Sequence, residues 1–320
     1  MPAIDRTNLS GLIPEPVTRE IIQGAVAESA VLRMARRLPN MTSKTQTLNV
    51  LDALPTAYFV NGEATTTGAE QAAFKQTTSM AWDKKKIYAE EIAVIVPIAE
   101  AALDDADYDI WGEVRPRLTE AFGKVIDAAI LYGTNKPTSW RDGLLASATT
   151  ATATVKATDD IYTDIMGEGG VIAKVEESGY IPNGVMAAIQ LRAKLRGLKD
   201  TTGQPIFKTD MQGSTRYALD GMDMYFPING AFDPAKSLAI VGDWNQLVYS
   251  VRQDMTFKIF DSGIVQDPAT KAILYNLMQN DMVALRAVMR LGWEIPNPIN
   301  AYNAGNENAF PFAVYAPAGE

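Results

Sequence analysis

Any chemistry in this chain has to come from carboxylates, amines and hydroxyls, because its 320 residues include no histidine and no cysteine. That removes the most common general base and metal ligand. It also removes thiolate nucleophiles, thiolate metal sites and disulfides. Two groups of acids stand out. Glu90 and Glu91 are adjacent within IYAEEIAVIVPI, a strand-forming run. Neighbouring strand positions point to opposite faces, which is a poor arrangement for a shared acid–base pair. Asp105, Asp107 and Asp109 alternate, after Asp104, like the opening of a calcium loop. Ile110 stands where such a loop needs glycine, and Pro116 where it needs glutamate. Their simpler role is to complement the positive end of a following helix. No Walker loop and no nucleophile elbow is present, and no strand leads into the Gly167–Gly170 cluster. The residues read as a protein without catalytic residues, cofactor or metal ion.

Composition agrees with a folded chain. Hydrophobic residues make up 47% and charged residues 21%, an ordinary globular balance for one large or two modest domains. Thirty-eight acidic against 29 basic residues leave a net charge of −9, the wrong sign for a sequence-reading nucleic-acid binder. A surface that merely faces nucleic acid is still allowed. There is no 18-residue apolar run, and Met1–Asn40 lacks a signal-peptide core, so a soluble, unexported product without a membrane partner is expected.

The element that organises the chain is Asp109–Gly133. Trp111, Val114, Leu118, Phe122, Val125, Ala129 and Tyr132 recur at steps of three and four, predicting one apolar helical stripe. Glu113, Arg117, Glu120, Lys124 and Asp127 follow the same steps on the opposite side. Glu113 with Arg117 and Glu120 with Lys124 have the favourable acid-before-base spacing. Pro116 predicts a kink or restart, and Gly133 a stop. Val125 is expected beneath the helix, so that Val125→Asp disrupts the core.

Around that helix, Val17–Arg37 reads as a weakly amphipathic helical arm behind the Pro14 and Pro16 pair. Thr47–Leu54 reads as a strand, and Ile87–Ile98 as its return across a long excursion whose tip, Ala64–Ser79, holds little to bury. An isolated two-stranded ribbon is marginal in water, so a neighbour has to supply its missing contacts or its tip is a loop. Thr134–Ala146 reads as a turn-rich connector before a polar, Thr-rich crossing. Asp160–Ser178 and Ile189–Lys199 have helical spacing, and Asp200–Pro205 reads as a turn. Gly184–Ala188, Met222–Ile228, Ser237–Val241, Gln246–Val251 and Met255–Phe260 read as strands of a compact α+β block. Asp281–Glu294 is the clearest strand, and the Pro- and Asn-rich tail after it is expected along the surface.

Three stretches resemble the major capsid proteins of tailed phages, the Hong Kong 97-type family. They are AYFVNGE (57–63) with AWDKKKIYAEEIAVIVPIAEAALDDADYDIWGEVRPRLTEAFGKVIDAAILYGTNKP (81–137), SLAIVGDWNQLVYSVRQDMTFKIF (237–260) and NDMVALRAVMRLGWEI (280–295). The resemblance spans about Ile13 to Asn303 and implies an α+β fold. Its expected parts are an N-terminal arm (1–46), an extended loop (57–90), a peripheral domain with a long spine helix (47–56, 91–155 and 280–320) and an axial domain (156–279). It implies pentamers and hexamers of this chain closing into an icosahedral shell around double-stranded DNA, without sequence-specific DNA binding. A separate scaffolding protein, a portal and a decoration protein are the further partners implied. The virion, assembled in the host cytoplasm, is the implied location.

The same resemblance makes Tyr58, Asn61, Gly62, Glu63, Lys75, Trp82, Lys84, Lys85 and Lys86 of the loop candidates for inter-subunit contact. Glu113, Arg117, Glu120 and Lys124 of the spine join them. Some relatives cross-link this loop to a neighbour through lysine and asparagine, for which Lys75 and Asn297 or Asn300 are available. Encapsulin-like nanocompartments share the fold and are the alternative reading. An Asp/Glu hydrolase is the alternative outside the fold.

Overall fold

Two 13-residue runs, Val248–Phe260 and Met282–Glu294, become the longest strands among the described residues. The computed structural model describes residues 29–57, 77–104, 110–199, 217–267, 269–304, 306 and 308–318. Helix α1 (Ala30–Met34) and strand β1 (Arg36–Arg37) precede a two-stranded ribbon of β2 (Thr45–Ala53) and β3 (Ala81–Tyr88). Then follow β4 (Glu90–Ala99), α2 (Glu100–Asp104) and the long α3 (Ile110–Tyr132). Helix α4 (Leu144–Thr150) and strand β5 (Thr154–Lys156) lead into α5 (Ile161–Met166), α6 (Val171–Glu177), β6 (Gly184–Ala187) and α7 (Ile189–Arg196). The chain closes with β7 (Ala218–Leu219), β8 (Met222–Tyr225), β9 (Ala239–Gly242), β10 (Val248–Phe260), β11 (Ile264–Gln266), β12 (Ile273–Asn276), β13 (Met282–Glu294) and β14 (Phe312–Ala316).

Strands β1, β10, β13 and β4 form one sheet in that order, with β13 antiparallel to both β10 and β4. The clearest strand of the sequence is thus central, and Leu285, Ala287, Met289, Leu291 and Trp293 on its expected apolar face are all buried. The expected strands 246–251 and 255–260 are one strand, β10, interrupted by register shifts at Val251/Gln253 and Gln253/Thr256. Such bulges bend a strand without ending it.

A second sheet has the order β5-β14-β9-β6-β8-β7. The tail is therefore not a surface segment. Phe312, Ala313, Val314 and Tyr315 are buried, and β14 pairs with both β5 and β9. Apolar residues at successive positions suit a strand covered on both faces. The 156–279 block shares this sheet with residues 312–316, while its residues 248–260 belong to the long sheet.

Helix α3 runs unbroken from Ile110 to Tyr132 with Pro116 inside it, so the expected restart is absent. Gly112 and Pro116 are both exposed, and water can serve the carbonyl that proline leaves without a donor. Gly133 ends the helix at φ +68°. The buried face is turned by about one residue from the expected stripe. Leu118, Phe122 and Ala129 are buried as expected, but Val125 is 47% exposed and Ile126 and Ile130 take the interior. Asp127, expected on the polar side, is fully buried.

Two further helices differ from expectation. The expected helix 160–178 is two helices, α5 and α6, divided by Gly167, Gly169 and Gly170. The expected helix to Arg37 ends at Met34, after which Arg36–Arg37 pair with Val248–Tyr249; residues 17–28 and the turn at 200–205 lie outside the described residues.

Candidate inter-subunit surface

The strand expected to run through Ile87–Ile98 is divided at Ala89. Its first part pairs with β2 in the ribbon and its second with β13 in the long sheet. Gly292 makes the crossing possible, because a Cβ there would run into the Tyr88 carbonyl oxygen and lie 2.7 Å from Ile87 Cγ2. The Trp140 indole N–H, donating to that same Tyr88 carbonyl at 3.0 Å, fixes the ribbon's base.

Register within the ribbon sorts its side chains. Val50 opposite Asp83, Leu48 opposite Lys85 and Gln46 opposite Ile87 form the inner face. Leu51 opposite Trp82, Asn49 opposite Lys84 and Thr47 opposite Lys86 form the outer one. Ile87 and Val50 are buried, whereas Lys84 and Lys86 are exposed and Trp82 is 63% exposed. The three adjacent lysines of the sequence therefore do different things. Lys85 lines a cleft of about 280 Å³ with Asp52, Asp83, Asn297 and Asn303. Burial, and then repulsion from Arg141, holds its ammonium below the ordinary lysine value. Arg141 is itself committed to Glu294 at 3.0 Å and to the Ile295 carbonyl at 3.2 Å.

The other candidates fall as follows. Tyr58, Asn61, Gly62, Glu63 and Lys75 lie outside the described residues, as do Asp105, Asp107, Asp109 and the side chain of Glu113. On the spine, Glu120 accepts from Arg117 at 3.4 Å, in place of the expected pair with Lys124. Lys124 is exposed and its Nζ lies beside Gly230. The amides of Asn297 and Asn300 serve their own chain. Asn297 accepts from the Tyr180 hydroxyl at 2.6 Å and donates to the Ala309 carbonyl at 2.8 Å. Asn300 donates to the Gly179 carbonyl at 3.0 Å. Glu90 and Glu91 are separated as expected, Glu90 accepting from Ser139 at 2.7 Å and Glu91 pairing with Arg290. Among the described residues no cluster of acids is placed to hold a metal ion.

Sequence reasoning missed the polar anchor of the spine. Asp127 accepts from the Ser29 hydroxyl (2.5 Å), the Ala30 N–H (2.9 Å), the Val31 N–H (3.2 Å) and the Asn229 amide (2.6 Å). One carboxylate thereby ties the spine to the start of α1 and to the 229–231 turn. Burial raises its proton affinity, and the four donors oppose that rise. The signal was available: a single acid within VIDAAIL is more economically explained by a buried, partnered carboxylate than by a solvated one.

Known proteins resemble this arrangement along nearly its whole length. The chain is 32% identical to a solved structure from Microbacterium phage Oxtober96, with a TM-score of 0.77 over 90% of this chain and 91% of that one. A structure from Mycobacterium phage Bobi is 31% identical, covers 100% of both chains and gives a TM-score of 0.76. The major capsid protein of Staphylococcus phage 80alpha is 25% identical over 293 residues, 89% of this chain and 82% of the relative. Matched by the phage capsid family model over residues 10–302, the chain belongs to the phage capsid family and has the Hong Kong 97-type fold.

Proposed function

We propose that this chain, as the major capsid protein of a tailed phage, assembles into pentamers and hexamers that close an icosahedral head around double-stranded DNA. The observation that carries this reading is the extent of the likeness: the family match covers residues 10–302, so a whole shell subunit is shared and not a detachable module. The family is a structural one, not an enzyme family. In this reading residues 1–46 are the arm and 57–90 the extended loop. Residues 47–56, 91–155 and 280–320 build the peripheral domain, and 156–279 the axial domain.

The ribbon and loop lie across an adjacent copy, where Trp82, Lys84, Lys86 and the exposed spine residues Arg117, Glu120 and Lys124 find partners. Scaffolding, portal and decoration proteins complete the assembly, which is built in the host cytoplasm and ends in the virion. With a net charge of −9, the chain encloses DNA without reading its sequence. Negative-stain imaging of the purified protein tests this. Closed particles of uniform diameter are expected, and discrete small oligomers across conditions that favour assembly would overturn it.

A further inference from the structure

We propose that Asn229 is a modification site: an Asn–Gly pair whose deamidation is held off by its hydrogen bond to buried Asp127, and whose conversion breaks the spine's anchor to the 229–231 turn.

The sequence contains three Asn–Gly pairs, Asn61–Gly62, Asn183–Gly184 and Asn229–Gly230. The first lies outside the described residues. Glycine after asparagine is the arrangement most open to deamidation, because no Cβ keeps the glycine's backbone nitrogen away from the side-chain amide. That nitrogen gives up its proton to base and bonds to the asparagine Cγ. The Cγ–Nδ2 bond then breaks, and ammonia leaves with a proton from water, which gives a cyclic succinimide. Water opens the ring at either carbonyl, to aspartate or to isoaspartate. Nothing is oxidised or reduced, and water is the only co-reactant.

The two described pairs differ in what surrounds the glycine. Gly184 begins β6 and is paired with Asp223 of β8 and Gly242 of β9. Its carbonyl accepts from the Trp244 indole at 3.0 Å, and a Cβ there would meet Met34 Cε at 2.8 Å. Closing a ring on that nitrogen would pull the chain out of a sheet paired on both sides. Gly230 belongs to no strand and is exposed, at φ +71°. Apart from its chain neighbours, only the Lys124 side chain lies within 4 Å of where its Cβ would stand, with Nζ at 3.7 Å. An ammonium there favours the anionic form of the attacking nitrogen. The backbone at Gly230 therefore permits the reaction, and the asparagine side chain has to prevent it.

That side chain is held at both ends. Asn229 Nδ2 donates to Asp127 at 2.6 Å, and its Oδ1 accepts from the Ala231 N–H at 3.1 Å. Because Nδ2 is the leaving group, its charge-assisted bond to Asp127 must break before ammonia can depart. Asp127 is itself fixed by Ser29, Ala30 and Val31, so it does not follow the amide. Protection thus comes from the same contact that ties the spine to the turn, and conversion makes an opening of that contact permanent. Aspartate at 229 has no amide N–H to donate and sets a second carboxylate against Asp127. Isoaspartate also lengthens the main chain of the turn by one carbon. Deamidation at 229 is then a one-way record that a subunit's anchor has opened.

The test incubates the full-length protein in mildly alkaline, ammonia-free buffer made with isotope-labelled water, and maps each Asn–Gly peptide by mass spectrometry. In the folded chain Asn229 should convert at least about tenfold more slowly than in the same chain unfolded in urea. Asp127→Asn keeps the side chain's shape but has one acceptor oxygen in place of two. It should recover much of the lost rate at Asn229 and leave Asn183 intact. Asn229→Asp, the product made directly, should lower the midpoint of urea unfolding. Equal rates in folded and unfolded wild-type chains, no conversion at Asn229 in the unfolded chain, or an Asn229→Asp midpoint equal to wild type would overturn the proposal. So would a folded Asp127→Asn chain in which Asn229 converts at the wild-type rate, or in which Asn183 speeds up as much. Where Asp127→Asn does not fold, the wild-type comparison and the Asn229→Asp midpoint decide.

Discussion

Replacing Asp127 by alanine should be strongly destabilising. The carboxylate accepts four hydrogen bonds, from a hydroxyl, two backbone N–H groups and a side-chain amide, and it is fully buried. Alanine removes the acceptor but leaves the donors, among them the buried Ala30 and Val31 N–H groups. Each buried donor left unsatisfied costs about 1–3 kcal/mol. Partial relaxation and water entry keep the sum from being additive, so a loss of about 4 kcal/mol is expected. Against a total stability of about 5–15 kcal/mol that is a large share. Urea unfolding of dissociated subunits is the assay. The midpoint should fall with little change in slope, because the surface exposed on unfolding is nearly constant. Val125→Asp, two residues earlier on the exposed side, is the matched control and should change stability by less than about 1 kcal/mol. An Asp127→Ala protein that loses less than Val125→Asp would refute the reasoning.

Other outcomes follow from the ribbon's base. Gly292→Ala sets a methyl group against the Tyr88 carbonyl and should cost about 1–3 kcal/mol in the same urea assay; an unchanged midpoint would mean the crossing is not tight. Lys85 has a depressed proton affinity in the folded state, so between its folded pKa and the unfolded value near ~10.4 the folded chain binds fewer protons and stability rises with pH. Below that window the ammonium is a liability. Lys85→Met should therefore melt at or above the wild-type temperature at pH 7, with the difference shrinking toward pH 10. A lower melting temperature at pH 7 would show that Glu294, Asp83 and Asp52 outweigh burial and Arg141. For Arg141→Ala, which leaves Glu294 without its cation, the midpoint of Lys85 reductive methylation should move to higher pH, and a fixed midpoint would remove Arg141 as a cause.

What the sequence disclosed depended on how many residues shared one environment. β13 was legible because alternation persists for thirteen residues, and α3 because its period persists for about six turns. Within α3 the phase was not legible, since steps of three and four can be drawn through Val125 or through Ile126. Only packing against the start of α1 selects Ile126 and draws Asp127 inward. The division of Ile87–Ile98 at Ala89 was hidden for another reason. Both halves have strand-forming residues, and what separates them is the absent Cβ of Gly292, far along the chain. β14 was misread because Pro311 and Pro317 flank a short apolar run that looks like surface chain until β5 and β9 cover its edges. The outward ribbon face was visible as three lysines and a tryptophan, but only the register with β2 turns Lys85 inward and leaves Lys84 and Lys86 outward.

The central claim, that this chain closes a shell from rings of itself, is tested most directly by cryo-electron microscopy of purified particles reconstructed without imposed symmetry. Five-fold and six-fold rings of this subunit in an icosahedral lattice are expected, with each ribbon lying over an adjacent copy. Particles lacking such rings, or a lattice in which the ribbon touches only its own subunit, would contradict it.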